Sequence, residues 1–149
     1  MPQFSTTRLV PYSAEHMFEL VADIEKYPAF LPLCKDLEVI KKYEEDGNSV
    51  LLANMEVGYK FINESFCTEV TLYKKEKTIN VKYIDGPFSY LDNKWQFYDL
   101  GTLGSKVEFY IDYEFKSRML GILMGEVFQR AFVKFSEAFE ERAHSLYSD

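Results

Sequence analysis

Apolar and polar side chains alternate along most of the chain between Asp36 and Lys116, and this alternation limits the possible folds more than any other feature. A period of two places the apolar side chains of a strand on one face of a sheet. Turn sequences at Asp46–Asn48, Asp85–Pro87 and Gly101–Gly104 divide the alternating region into hairpins. The pattern therefore predicts an antiparallel sheet with one buried face.

Helical spacing occurs on both sides of this region. After a first strand over residues 3–11, Ser13 can cap a short amphipathic helix that stops before Pro28. A second short helical turn is predicted between Pro28 and Leu33. The last segment, from about Arg118 to Tyr147, predicts a helix of roughly 40 Å. The apolar face of the first helix consists of Met17, Phe18, Val21 and Ile24.

These elements predict an α+β fold with a curved antiparallel sheet of about seven strands wrapped around the long C-terminal helix. Two short helices follow the first strand. No linker or repeat interrupts the chain, so we predict a single domain over residues 1–149. A twisted sheet touches a straight helix at one end and diverges from it at the other, and what fills the divergent end decides the function.

The aromatic content is high. Of 149 residues, 17% are aromatic, with 13 Phe, 11 Tyr and one Trp. Either the core is unusually aromatic or some rings line a cavity. The net charge of −7 repels phosphate backbones and anionic lipid surfaces. We therefore expect no direct DNA binding, and contact with any nucleic acid would need a local basic patch.

The chain has the features of an intracellular protein. Cys34 and Cys67 are the only cysteines, and the first residues lack the basic and apolar regions of a secretory signal. The longest apolar run, Met119–Gly125, is far shorter than the roughly 20 residues that span a bilayer. We expect a cytoplasmic protein that can contact the inner membrane peripherally.

No motif for catalysis, metal binding or phosphate binding occurs. His16 and His144 lie at opposite ends of the chain, where both are predicted at the surface, and the cysteines have no C-x-x-C partner. The glycine-rich phosphate loops and the nucleophile elbow are absent. We therefore predict no metal, no required cofactor, no catalytic residue and no enzymatic activity.

Three polar residues share strand faces with apolar ones. Glu64 and Thr68 lie on the face of Phe66, and Asn93 lies on the face of Trp95. One interpretation places them near strand ends in contact with solvent, or flips the register at a bulge near Asn63. The other makes them the few polar groups of an apolar ligand pocket. Both interpretations remain open from the sequence.

The C-terminal helix also has two interpretations. Its rings can fill the core, or they can face the sheet rings across a cavity, because large rigid rings leave gaps. At its start, Lys116 and Arg118 flank an apolar segment that ends at Met124. That segment can dip into a bilayer surface, approach a strand closely or border an opening to the pocket. The helix rings are Phe128, Phe132, Phe135 and Phe139.

Four blocks of the sequence resemble the START-like superfamily, in its polyketide cyclase/dehydrase and coenzyme Q-binding branch. Within them, Tyr27–Pro32 and Gly86–Phe88 are fairly specific to that branch. The four blocks are Val10–Glu15, Leu20–Pro32, Asp85–Phe88 with Leu91 and Trp95–Phe97, and Asp112–Ser117. The resemblance covers nearly the whole chain. It implies a helix-grip fold with a cavity between the sheet and the C-terminal helix.

The resemblance also implies three alternative functions. The first is non-enzymatic binding of ubiquinone or a similar isoprenoid lipid in support of respiratory electron transport, with contact to a membrane or a respiratory complex. The second is that of a bacterial ribosome-association toxin, which binds the large subunit and blocks subunit joining. The third is a cyclase-like enzyme. The aromatic face favours the first, and the net charge disfavours the second, although five lysines are available for a local patch. These are Lys41, Lys42, Lys74, Lys75 and Lys77.

On the first alternative, the alternation predicts which residues bind the lipid. Glu64 and Asn93 are predicted to meet its head group. The predicted walls for the tail are Met55, Phe66, Tyr83, Trp95, Phe97, Phe109, Phe128, Phe132 and Phe135. The predicted entrance, which also contacts the membrane or a partner, consists of Phe30, Leu31, Leu33, Met119, Leu120, Leu123 and Met124.

Overall fold

A computed structural model describes residues 3–147 of the protein. Its seven strands form one sheet, with a helix after the first strand and a long helix after the last. The strands are β1 (Gln3–Val10), β2 (Cys34–Glu45), β3 (Asn48–Tyr59), β4 (Ile62–Tyr73), β5 (Thr78–Asp85), β6 (Phe88–Asp99) and β7 (Ser105–Phe115). The α-helices are α1 (Ala14–Ala22) and α2 (Arg118–Tyr147), with 3-10 helices at Ile24–Ala29 and Gly101–Leu103. The predicted α+β helix-grip architecture is confirmed.

All neighbouring strands are antiparallel, in the order β1-β7-β6-β5-β4-β3-β2. Strands β2 to β7 are neighbours in the sheet in the order in which they follow along the chain. Strand β1 pairs with β7 and forms the edge opposite β2. Irregularities interrupt the register on β2, on β5 opposite Cys67 and Thr68, and on β6 between Phe88 and Tyr90. Bulges of this kind bend strands and increase twist, so the sheet curves around α2.

Helix α1 begins as the sequence predicts. The Ser13 side chain accepts a hydrogen bond of 3.0 Å from the backbone N–H of His16, which satisfies one of the free donors of the first turn. Met17, Phe18 and Val21 are buried on the inner face of the helix. Ile24 is buried too, but it belongs to the following 3-10 helix.

The second short helix lies earlier than predicted. It spans Ile24–Ala29 with Pro28 inside it, whereas the prediction placed it between Pro28 and Leu33. The Tyr27 carbonyl accepts from both Phe30 N and Leu31 N and so closes the turn. Leu33 has a φ of 67°, which a right-handed helix excludes, so the helix cannot continue to that residue.

Helix α2 packs along the concave face of the sheet. Its C-terminal half is tied to the rest of the fold by a 2.6 Å ion pair between Arg8 and Glu140 and by a 3.2 Å hydrogen bond between Tyr12 Oη and His144 Nδ1. His16 stacks on Tyr147 at 4.2 Å between ring centroids. The two histidines are distant in sequence and exposed as predicted, and each contacts one of two tyrosines, Tyr12 and Tyr147, whose ring centroids lie 6.3 Å apart. The buried residues of α2 are Met124, Phe128, Ala131, Phe132, Phe139 and Ala143.

The N-terminal end of α2 lies at one end of the sheet. The pairs Phe88↔Phe115 and Tyr59↔Ile62 place the start of α2, the β5–β6 turn and the β3–β4 hairpin tip on this same end. Cys34 pairs with Val57, so β2 also begins here.

Within residues 3–147, no helix combines the length and the apolar character needed to cross a bilayer.

Candidate ligand-binding cavity

A cavity of about 120 Å³ lies between the inner face of the sheet and α2. Strands β2 to β7 form its floor, α2 forms its roof, and the 3-10 helix with the segment after it forms one side. Eight of the predicted wall and head-group residues line it. They are Met55, Phe66, Asn93, Trp95, Phe109, Phe128, Phe132 and Phe135.

Three predicted residues lie elsewhere. Phe97 is 3% exposed, but the ring of Phe18 on α1 covers it at 5.8 Å, so it belongs to the core beneath α1. Tyr83 is half-buried, and its hydroxyl accepts a hydrogen bond of 3.1 Å from Phe88 N. Glu64 pairs with Val57 near the β3–β4 hairpin tip and is half-buried outside the cavity lining. Of the two interpretations of these polar residues, the one that places them near strand ends applies to Glu64. The one that places them in the pocket applies to Thr68 and Asn93, which line the cavity.

The predicted entrance divides into three groups. Leu31 and Leu33 line the cavity between the 3-10 helix and β2. Phe30 packs instead against Tyr27 and Phe139, with the Arg142 guanidinium 5.3 Å above its ring. On α2, Met119 and Leu123 are exposed and Leu120 is half-buried. Met124 is 2% exposed, because the helix turns it toward the core, so its prediction as a surface contact is wrong.

Two tyrosines were missing from the predicted lining. Tyr113 follows Phe109 and Ile111 on the inward face of β7, so the alternation already indicated its position. Tyr27 belongs to the first of the more specific sequence blocks, and its hydroxyl donates a hydrogen bond to the Val21 carbonyl. Nothing in the spacing of that irregular segment indicated that its ring reaches the cavity.

The Gly86–Phe88 block positions the floor of the cavity. Gly86 has a φ of 148° and lies so close to Phe66 that an added Cβ would collide with the Phe66 side chain. The Pro87 carbonyl accepts a 2.8 Å hydrogen bond from Lys116 N, which joins this turn to the start of α2. The turn thereby holds Phe88, 1% exposed, at the centre of the ring cluster below the cavity.

The cavity wall is almost entirely apolar. Its polar side-chain groups belong to Tyr27, Thr68, Asn93 and Tyr113, together with the indole N–H of Trp95, and none of the lining residues in the described range carries a formal charge. Asn93 Nδ2 donates a 2.8 Å hydrogen bond to the Tyr110 carbonyl. Burial raises the pKa of Tyr27 and of Tyr113, so both phenols stay protonated at neutral pH. Such a wall suits an apolar molecule with few polar atoms.

The thiol of Cys34 lies beside Tyr27 and yields a prediction on reactivity. Burial, with a smaller contribution from Asp36, raises its pKa to about 11. At pH 8 its thiolate fraction is then on the order of a hundredfold below that of free cysteine. We expect iodoacetamide to modify half-buried Cys67 first, as measured by peptide mass spectrometry. Equal rates at the two cysteines would contradict this assignment.

The same pKa sets a pH dependence of stability. Because the folded pKa of Cys34 exceeds the unfolded one, its contribution is complete below about pH 9. That contribution is lost as the pH rises through about 11. Urea unfolding of wild type and Cys34→Ala across this range is expected to show a smaller alkaline loss of stability in the variant.

No group of three or more His, Cys, Asp or Glu side chains suited to a metal ion occurs within residues 3–147.

Comparison with known proteins identifies related sequences over nearly the full chain. The family described as polyketide cyclase / dehydrase and lipid transport matches residues 10–140. The ribosome association toxin RatA of Escherichia coli K12 is 35% identical over 148 residues, covering 99% of this chain and 90% of that protein. The mitochondrial coenzyme Q-binding protein COQ10 of Dictyostelium discoideum is 30% identical over 143 residues, covering 95% and 68% respectively.

Solved structures share the fold. The solution structure of the 18 kDa protein CC1736 from Caulobacter crescentus superposes with a TM-score of 0.81 at 33% identity, covering both chains completely. A START superfamily protein from Mycobacterium smegmatis gives a TM-score of 0.80 at 24% identity, covering 97% of this chain and 98% of that one. The sheet and the long helix are therefore those of a START-like fold.

Proposed function

Because the chain belongs to the polyketide cyclase/dehydrase and lipid transport family, we propose that it binds a hydrophobic lipid, specifically ubiquinone or a related prenyl quinone, without converting it chemically. The observation that carries this proposal is the uncharged, ring-lined cavity between the sheet and α2. The similarity to a protein named for coenzyme Q binding supports the choice of a quinone. In this function the protein acts in the cytoplasm and supports respiratory electron transport.

The size of the cavity limits how such a lipid binds. Drug-sized ligand sites have volumes of roughly 300–1,000 Å³, whereas this cavity measures about 120 Å³. The cavity therefore holds one ring or a short piece of tail, and the remainder extends outside. We propose that the rest of the tail passes Leu31 and Leu33 and lies against the exposed apolar side chains at the start of α2.

Mass spectrometry of an organic extract tests the bound molecule. The protein is purified from its native host without detergent and compared with a control protein of similar acidity. We expect a prenyl quinone in a ratio approaching one per protein chain, with its ring chemically unchanged. An extract no richer in prenyl lipid than the control would contradict the proposal, and a modified lipid would favour the enzymatic alternative.

A second candidate function is association with the ribosome, favoured by the 35% identity to RatA over almost the whole chain. Lysines on β2 and at the β4–β5 turn offer a local basic surface, although Lys77 Nζ already donates to the Lys74 carbonyl. Lys41, Lys42, Lys74 and Lys75 are exposed. Against it stands the net charge of −7, which repels RNA phosphates.

Co-sedimentation with purified large ribosomal subunits distinguishes the two candidates. If the lysine surface binds RNA, sedimentation decreases steeply between 50 and 200 mM salt, because each phosphate contact releases counterions. The double variant Lys74→Glu, Lys75→Glu then loses binding, whereas Lys26→Glu on the 3-10 helix retains it. We expect that this acidic chain does not co-sediment with the large subunit in a salt-sensitive way. Salt-sensitive co-sedimentation that the double variant loses would establish association with the ribosome instead.

A further inference from the structure

Two buried side-chain oxygens within residues 3–147 make no hydrogen bond. They are the hydroxyls of Ser105 and Tyr113. Ser105 begins β7 outside the cavity lining, whereas Tyr113 lies in the cavity wall. Buried hydroxyls almost always have a partner, so an unpartnered hydroxyl in a cavity wall calls for an explanation, and an acceptor atom on a bound molecule is one.

The ring of Tyr113 is held firmly. It is 0% exposed and packs against Phe88, Phe128 and Phe132 at centroid distances of 6.0, 6.0 and 5.5 Å. The Gln129 side chain on α2 lowers the pKa of Tyr113, but burial raises it more, and no hydrogen bond of normal geometry joins the two. The phenol is thus a protonated donor in a fixed position.

Two other polar side chains of the lining donate to backbone carbonyls of the protein. Tyr27 donates to the Val21 carbonyl, and Asn93 Nδ2 donates to the Tyr110 carbonyl. Tyr113 therefore differs from both, because its donor makes no hydrogen bond within the protein.

We infer that the Tyr113 hydroxyl donates a hydrogen bond to an acceptor oxygen of the molecule bound in the cavity. The ligand class is then an apolar molecule whose buried end carries a carbonyl or ether oxygen, and a plain hydrocarbon is excluded as the preferred ligand. This inference rests on the proposed function, which it deepens: the quinone ring enters the cavity and the tail extends outward.

Calorimetric titration with two probes that share a saturated decyl tail tests this inference. Decyl-ubiquinone carries ring oxygens, and decylbenzene has none. Tyr113→Phe removes the hydroxyl and keeps the ring. We expect this variant to bind decyl-ubiquinone about three- to tenfold more weakly than wild type, the range that one net hydrogen bond produces, and to bind decylbenzene unchanged. Tyr110→Phe, on the same strand but facing outward, is the matched control and is expected to bind both probes like wild type.

The outcomes separate the inference from the proposed function. If wild type binds neither probe, both fail. If decyl-ubiquinone binds wild type and Tyr113→Phe equally, or if the variant weakens both probes equally, only the inference fails. The melting temperature of the ligand-free variant gives an independent measure. If the melting temperature of Tyr113→Phe equals or exceeds that of wild type, the hydroxyl has no partner in the ligand-free protein. A clearly lower melting temperature would show an internal partner such as Gln129 and would overturn the inference.

Discussion

Replacing Phe88 with alanine is expected to lower the free energy of unfolding by about 3–5 kcal/mol, the range for truncating a buried phenylalanine. The ring is 1% exposed and stacks on Phe115 at 4.8 Å between centroids. It also contacts Phe66 at 5.3 Å and Phe128 at 6.3 Å, so it joins three elements. Removing it leaves a void that the rigid neighbouring rings cannot fill.

Urea unfolding of Phe88→Ala and of Phe61→Ala measures this effect with a matched control. Phe61 lies at the β3–β4 hairpin tip and is 89% exposed, so its truncation is expected to change stability by less than about 0.5 kcal/mol. Similar losses in the two variants would show that the ring cluster does not carry the stability of this end of the sheet.

Replacing Ala131 with leucine is expected to weaken quinone binding at least about tenfold. Ala131 is 6% exposed and lies on α2 among the rings that line the cavity. The substitution adds three carbon atoms to the wall of a cavity of only about 120 Å³, so the ligand loses its space. Filling the void stabilises the fold, whereas overpacking it destabilises the fold. The free energy of unfolding is therefore expected to decrease by no more than about 1–3 kcal/mol.

Ala138→Leu is the control for this second substitution. Ala138 lies on the same helix and is half-buried, but it does not line the cavity. We expect it to bind quinone like wild type, as measured by calorimetry on variants that unfold cooperatively. Equal losses in both leucine variants would mean that the substitutions act through α2 as a whole, and retained binding in Ala131→Leu would place the ligand elsewhere.

The alternation predicted the inward faces best where a strand is regular. Along β7, every second residue from Ser105 to Phe115 is buried, because no register shift interrupts its pairing with β1. On β2, shifts at Cys34/Asp36 and Val39/Lys41 break the alternation, and most of that strand is exposed or half-buried. A one-residue shift reverses the face of every following side chain, so a period of two fails beyond such a point.

Which inward-facing residues line the cavity depends on tertiary contacts, and the alternation of apolar and polar residues does not predict those contacts. Phe97 and Trp95 share a strand face, but only Phe97 is covered by α1. Glu64 and Thr68 share a strand, but Glu64 lies near the hairpin tip, outside the lining. The role inferred for Tyr113 depends on the missing hydrogen bond, which only the packed structure reveals.

Trp95 allows a direct measurement of ligand in the cavity, because it is the single tryptophan of the chain and it lines the cavity wall. A quinone bound beside the indole quenches its fluorescence. Titrating wild type with decyl-ubiquinone is expected to give saturable quenching that ends at one quinone per chain, and Ala131→Leu is expected to need at least about tenfold more quinone for half-maximal quenching. Quenching that rises linearly without saturation, and to the same extent in both proteins, would contradict the binding of a quinone in this cavity.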